Sequence, residues 1–377
     1  MNTTWRQCTI GDVCDTISNT YNSNAQQVVL INTSDVLEGK VLNHIYIPNE
    51  NLKGQFKKTF EEGDILYSEI RPQNKRYAYI DFAPINYIAS TKLMVIRNKN
   101  IVKSKYLYYF LQSDKIISEL QMLAETRSGT FPQITFNELS KLSIKIPPLP
   151  EQDRIISILD SICKKIDINQ QINDNLEEQA KALFKSWFVD FDRNEWVHCE
   201  LGDITLITAG GDRPSKYTNK KTIECHVPIY SNGIDNEGLY GYTNVAKIHE
   251  ESITISARGT IGYVCLRLEP YVPIVRLISI IPNKKELSAK YLYLWALTQN
   301  ITGTGTTQQQ LTVPIFRKTP ISIPSDTKLK QFNSIADPLF SQIESNKKEN
   351  IKLSTLRDTL LPKLMSGELS VEEVSLD

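Results

Sequence analysis

Arg71-Pro72-Gln73-Asn74-Lys75-Arg76-Tyr77 is the stretch of the chain best suited to contact nucleic acid. Its cations match phosphate oxygens, and its amide and guanidinium forks match base edges. Arg213-Pro214-Ser215-Lys216-Tyr217 is a second basic and aromatic loop, and Arg258-Gly259-Thr260 is a third. Arg127-Ser128-Gly129-Thr130 and the stretch from Gly303 to Gln310 are small polar loops. Their backbone N–H groups suit phosphates, or they are simply flexible turns. The residues put forward for DNA contact are therefore Arg71, Gln73, Asn74, Lys75, Arg76, Tyr77, Arg127, Arg213, Lys216, Tyr217, Arg258 and Thr260. Taken alone, each loop fits a solvated turn somewhat better than a contact surface. Tyr106-Leu107-Tyr108-Tyr109 and Tyr291-Leu292-Tyr293 fit a core better than a base-stacking platform.

Signs of catalysis are missing. No GxxxxGK[ST] phosphate loop, HExxH, GxSxG or Asn-Pro-Pro-Tyr motif occurs, and Gly303-Thr304-Gly305 does not continue into a dinucleotide fingerprint. The six cysteines contain no CxxC, as expected of apolar fillers in a reducing compartment. His198-Cys199 and Cys225-His226 are two possible metal-ligand pairs, but adjacent residues rarely ligate together. Neither a catalytic residue nor a metal site is expected.

The chain has 377 residues, enough for two or more domains. Its 41% hydrophobic and 23% charged content is that of a globular protein, which excludes a disordered or collagen-like chain. No apolar run reaches membrane-spanning length, and the N-terminus lacks the basic start and apolar core of a signal peptide. Those features point to the cytoplasm. Net charge is zero, but its distribution is uneven: +3 over 1–150, −4 over 151–195, +3 over 196–324 and −2 over 325–377.

The sequence repeats. Trp5-Arg6-Gln7-Cys8-Thr9-Ile10-Gly11-Asp12 matches Trp196-Val197-His198-Cys199-Glu200-Leu201-Gly202-Asp203. Tyr106-Leu107-Tyr108 matches Tyr291-Leu292-Tyr293. Ile134-Thr135 with Ile144-x-Ile146-Pro147 matches Leu311-Thr312 with Ile321-x-Ile323-Pro324. The matches keep their order while their spacing shrinks, so the second copy is the first with shorter loops. Each copy opens with a mixed α/β block. The runs 64–68, 93–96, 252–256 and 277–281 read as strands, and 105–120 and 289–297 read as helices.

Each block leads into a long helix. Its apolar seam in copy one runs through Ile155, Leu159, Ile162, Ile166, Asn169, Asn173 and Leu176, at coiled-coil spacings of three and four. Copy two repeats it through Leu339, Ile343, Asn346, Asn350 and Leu353. The asparagines either face solvent or set the register of two helices that pair antiparallel. Asp337-Pro338 reads as a helix restart and Pro362 as a bend or stop. A rod over 151–188 would span roughly 57 Å at about 1.5 Å per residue. The domain plan is thus 1–148, 149–194, 195–324 and 325–377: mixed α/β block, helix, mixed α/β block, helix.

Pro147-Pro148-Leu149-Pro150-Glu151-Gln152, followed by a helix ending Ala182-Leu183-Phe184-Lys185-Ser186-Trp187-Phe188-Val189-Asp190-Phe191, resembles the central conserved region of type I restriction-modification specificity subunits. Leu360-Leu361-Pro362-Lys363-Leu364-Met365-Ser366-Gly367-Glu368-Leu369 is similar to their distal conserved region. Copy two departs from the pattern: Ile323-Pro324-Ser325-Asp326-Thr327 stands where copy one has its Pro-Glu-Gln run. The resemblance implies an α/β (α+β) fold with two target-recognition domains joined by paired antiparallel helices. It implies double-stranded DNA as ligand, each domain reading half of a bipartite, asymmetric site. The helices would set the spacer and dock two methyltransferase subunits, and restriction/translocase subunits would join some assemblies. S-adenosylmethionine, ATP and Mg would then sit on the partners, with no cofactor and no catalysis on this chain. Phe184, Trp187, Phe188 and Phe191 are the apolar residues put forward for partner docking. The sequence leaves two other readings open: a coiled-coil adaptor with two duplicated protein-binding domains and no DNA ligand, and a stand-alone DNA enzyme whose motif is not visible.

Overall fold

The computed structural model describes residues 5–50, 52, 54–127, 130–190, 196–283, 287–299, 301 and 311–374, with the Arg127 side chain excluded. The chain divides into two compact units, Met1–Ile168 with Glu349–Asp377, and Asn169–Lys348. Each takes one recognition block and part of both long helices.

In the first unit a four-stranded antiparallel sheet runs in the order Cys14–Ile17, Leu93–Asn98, Ile65–Ser68, Tyr77–Tyr79. Strand side chains alternate between faces. Ile65, Tyr67, Met94 and Ile96 accordingly join a core with Tyr106, Leu107, Phe110 and Leu120, while Leu66, Leu93 and Val95 join another with Val29, Ile31 and Ala89. Burial on both faces explains why these strands are apolar without alternation. The second core lies against a four-stranded sheet ordered Ile47–Pro48, Gln27–Ile31, Tyr87–Ser90, Phe56–Lys58.

The second unit repeats the plan. Its main sheet runs Thr205–Ala209, Ile278–Pro282, Ser252–Ile255, Val264–Arg267, the same order with the same antiparallel pairings. Its smaller sheet has three strands, Leu239–Thr243, Val227–Tyr230 and Val272–Pro273. Each unit closes its block with a two-stranded clasp. Arg6–Thr9 pairs with Ser143–Ile146, and Val197–Glu200 pairs with Pro320–Ile323. The expected strands are all present, and the expected helix over 289–297 is Ala289–Leu297. The stretch 105–120 differs from expectation. It is two helices, Ser104–Leu111 and Asp114–Arg127, separated where Ser113 turns its hydroxyl onto the Phe110 carbonyl at 2.8 Å.

The first long helix spans Leu149–Phe184 and continues as a π-helical turn, Lys185–Val189. Gln152 fixes its start: fully buried, it accepts from the Lys103 backbone N–H and donates to the Pro147 carbonyl, both at 2.8 Å. That is a physical role for the Gln of the Pro-Glu-Gln run. In copy two the aligned residue is Leu329, buried in the core instead. The second long helix runs unbroken over Asp326–Ser366, so the expected restart at Pro338 does not occur, and of the bend or stop expected at Pro362 the stop does not occur. A proline removes one backbone donor. Around Pro338, the buried Phe332, Ala336 and Phe340 supply packing that outweighs that loss. The helix ends where Gly367 takes a left-handed φ of +74° and Glu368 donates back to the Lys363 carbonyl at 3.0 Å.

The two helices pair antiparallel inside each unit. In the first, Ile155, Leu159 and Ile162 share a core with Leu360, Leu361 and Leu364, with Ile166 and Leu353 at its edge. In the second, Leu176 and Ala180 share a core with Phe332, Ala336, Leu339 and Ile343. The seam asparagines are turned inward. Asn346 Nδ2 donates to Asn173 Oδ1 at 2.8 Å with both residues buried, and Asn350 Nδ2 donates to the Ile166 carbonyl at 3.3 Å. Asn169 is fully buried as well.

Candidate nucleic-acid interface

The registers of the main sheets decide which loops meet. In the second unit Ala209 pairs with Ile278, and Ile278 pairs with Ile255. Two strands therefore finish, and the strand between them begins, at one end of the sheet. The loops leaving that end carry Arg213, Lys216 and Tyr217, then Arg258 and Thr260. Side chains far apart in sequence are thus gathered by hydrogen-bond register. In the first unit Leu93 pairs with Ser68, so the turn after Ser68 and the residues before Leu93 share the equivalent end.

That turn is a short 3-10 segment, Pro72–Asn74, flanked by Arg71 and Lys75, both in the left-handed region at φ 43° and 52°. Such values are uncommon outside glycine and mark strain that the surroundings must hold. Here the Arg71 N–H donates to the Pro132 carbonyl at 3.1 Å, and the Gln73 N–H to Gln121 Oε1 at 3.2 Å. Arg71, Gln73 and Asn74 end up exposed on a rigid turn. Lys75 is half-buried and 3.4 Å from Asp114. Beside it Lys92 reaches Gln133 at 3.1 Å and Glu69 at 3.6 Å.

Two residues of this run do other work. Arg76 donates Nη1 to the Ser34 carbonyl at 3.1 Å and ties down the neighbouring hairpin. Tyr77 is a correction: it is buried and stacks on Tyr67 with centroids 5.7 Å apart, so it faces the core and not a base. Its strand position, two residues from Tyr79 and opposite Tyr67, puts it on the inner face.

In the second unit Arg213 lies 4.0 Å above the Tyr217 ring and donates to the Tyr240 hydroxyl at 3.2 Å. The Tyr240 hydrogen bond, with the tyrosines around it, pushes Arg213 further toward its charged form. The Tyr217 ring and the Tyr240 hydroxyl together hold the guanidinium at the surface. Lys216 is exposed and pairs with Glu224 at 3.0 Å. Arg258 is half-buried, and Thr260 is exposed beside the left-handed Gly259. The Arg127 side chain and the stretch from Gly303 to Gln310 lie outside the described residues.

The docking residues need correction too. Phe184 and Phe188 are each 2% exposed and belong to the core of the second unit. Phe188 packs edge-on against Tyr291 and Phe332, with both centroids at 5.0 Å. Phe184 ends the α-helix and Phe188 lies in the π-helical turn that follows, and between them Trp187 packs on Phe332 at 6.3 Å. Phe191 lies outside the described residues. The tyrosine stripes are core, as expected. They also tie each block to its helix, through Tyr109 to Asp160 at 2.5 Å and Tyr293 to Glu177 at 2.8 Å. Among the described residues no group of three potential metal ligands comes together, and no helix is long and apolar enough to cross a membrane.

The duplicated block, with the same sheet order and the same helix pairing in each copy, has a counterpart in known proteins. A family model for the type I restriction modification DNA specificity domain matches residues 2–178 and again 193–355. The chain belongs to that family. It is 33% identical to the HindI type I restriction enzyme specificity subunit of Haemophilus influenzae, over 97% of this chain and 99% of the relative. It is 29% identical to the MjaIX specificity subunit of Methanocaldococcus jannaschii, over 78% and 77%. The crystal structure of a type I restriction-modification S subunit from M. genitalium matches at a TM-score of 0.53 and 18% identity, covering 97% of this chain and 96% of that one. That likeness concerns the fold alone. The two matches to the DNA specificity domain coincide with the two copies read from the sequence.

Sequence reasoning missed Asn232 and Arg276 in the second specificity domain. Asn232 donates to the Val275 carbonyl and accepts from the Ala257 N–H, each at 2.7 Å. It thereby joins two of the loops at the sheet end. No composition or spacing signal marks either residue, because their proximity exists only once the strands pair.

Proposed function

We propose that this chain is the DNA sequence-recognition subunit of a type I restriction-modification complex, each specificity domain reading one half of a bipartite, asymmetric site. The observation that carries the reading is the equivalent end of each main sheet, where the Arg71–Lys75 turn in one domain, and the Arg213 and Arg258 loops in the other, each collect cations and polar groups at the surface. Arg, Gln and Asn side chains carried on a hydrogen-bonded turn at one end of a β-sheet suit readout in the major groove, and neighbouring lysines suit phosphates. The loops of the two domains differ in sequence, so their half-sites differ. The long helices set the spacer and dock two methyltransferase subunits, which supply S-adenosylmethionine and adenine methylation. Restriction subunits, where present, supply ATP- and Mg-dependent cleavage. Exposed helix positions such as Lys164, Asn175 and Glu178 leave room for those partners.

Exchanging residues 195–324 for the corresponding block of another family member tests this. The methylated motif, read genome-wide in a host carrying the hybrid with its methyltransferase, should change in one half only. Loss of both halves, or an unchanged motif, refutes independent readers.

A further inference from the structure

Residues Ile274-Val275-Arg276-Leu277 form a tight turn closed by the Leu277 N–H donating to the Ile274 carbonyl at 3.1 Å. Both central residues are left-handed, Val275 at φ 54° and Arg276 at φ 60°. That pattern belongs to the mirror-image type I′ turn, which Asn-Gly fills without strain. A β-branched valine there is a genuine outlier. Asn-Gly would fold better, so the side chains present serve something other than the fold.

The turn is held from two sides. The Val275 N–H donates to the Gly211 carbonyl at 2.8 Å and the Arg276 N–H to the Gly210 carbonyl at 2.9 Å. Gly210 is needed for that approach, because a Cβ there would lie 2.7 Å from the Ile274 nitrogen. On the other side the Asn232 amide clamps the Val275 carbonyl and the Ala257 N–H, tying the turn to the strand end that leads into Arg258. The turn therefore stands at the sheet end between the Arg213 and Arg258 loops. Val275 is 47% exposed and Arg276 is exposed. Among the described residues the Arg276 side chain has no hydrogen-bond or ion-pair partner. The first domain has no left-handed residue at the register-equivalent Thr91 and Lys92, so this device belongs to one domain.

We propose that Arg276 is a base-reading residue of the second specificity domain, presented on a strained turn so that its guanidinium meets a base edge in a fixed orientation. The proposal rests on the DNA-recognition reading above. A phosphate contact needs only charge, which a mobile lysine supplies. Bidentate recognition of guanine O6 and N7 needs the planar fork and a fixed backbone. Val275 beside it offers an apolar surface of the kind that meets a thymine methyl.

The test uses the full chain co-expressed with its methyltransferase subunits and a duplex library randomised over the whole footprint, sequenced after selection. The wild-type complex should select a two-part motif. Arg276→Ala should keep one half intact and lose base preference at one or two positions of the other, with roughly 5- to 150-fold less discrimination at a guanine. Arg276→Lys should bind but lose the same preference. The pair Val275→Asn with Arg276→Gly relieves the strain, so it should unfold at a higher temperature while losing the same positions. That variant separates misfolding from lost readout. An Arg276→Ala motif identical to wild type overturns the proposal and leaves the recognition reading intact. So does a uniform loss across all sequences with a shallower salt dependence, the signature of a phosphate contact. Lower stability of the Asn-Gly variant overturns the strain argument. A wild-type complex that selects no motif overturns the recognition reading itself.

Discussion

Replacing Asn346 tests whether a buried polar pair, and not apolar packing alone, holds the helices together in the second unit. Asn346 donates to Asn173 at 2.8 Å and accepts from Gln342 at 2.7 Å, and both asparagines are buried. Among the described residues the Asn173 Nδ2 has no partner, so the contact at its Oδ1 is what satisfies this amide. Asn346→Ala therefore strands the whole Asn173 amide, at a cost of about 2–3 kcal/mol. Asn173→Ala leaves the Asn346–Gln342 bond in place and should cost less, about 1–2 kcal/mol. The double replacement Asn173→Leu with Asn346→Leu extends the apolar seam of Leu176, Leu339 and Ile343, and should recover most of the loss or exceed wild type. Three of the four tryptophans, Trp187, Trp196 and Trp295, lie in this unit, so fluorescence-monitored urea unfolding follows it selectively. A loss of 2 kcal/mol lowers the midpoint by about 1 M at ordinary denaturant slopes. The reasoning fails if Asn346→Ala unfolds like wild type, or if the double leucine variant is worse than either single alanine.

Two further outcomes follow from burial. Phe188→Ala empties a site walled by Phe184, Tyr291, Phe332 and Trp196, and should cost about 3–5 kcal/mol in the same fluorescence assay; a cost under about 1 kcal/mol would return this residue to the surface. Alkali should unfold the chain cooperatively. Burial pushes the Tyr230 hydroxyl up to about 12, and those of Tyr67, Tyr106 and Tyr293 higher still. Unfolded phenols titrate near 10. The stability these groups contribute is therefore whole below about pH 10 and is lost as pH climbs through the folded values. Absorbance at 295 nm should rise together with loss of far-UV circular dichroism; smooth titration near pH 10 with the fold intact would contradict the burial.

The legible parts of this protein were those written in periodicity or repetition. Ordered matches such as Trp5 with Trp196 expose the duplication, and both copies fold to one sheet order. The seam from Ile155 to Leu176 predicts a helix because spacings of three and four make one face, and Leu149–Phe184 is that helix. Prolines misled at 338 and 362, since local propensity cannot weigh the packing of Phe332 and Phe340 against one missing donor. The aromatic run at 184–188 misled for a similar reason: apolarity says that a ring is buried somewhere, not against what.

The sequence by itself determined two blocks, two amphipathic helices and a supply of cationic loops, because apolar spacing and turn residues act over a few neighbours. Tertiary structure alone decided which loops share a sheet end, that Tyr77 turns inward, and that Val275 and Arg276 are held left-handed. Those outcomes depend on strand register and on backbone approach between residues as distant as Gly210 and Ile274. No local pattern encodes a contact whose partners meet only when the sheet closes.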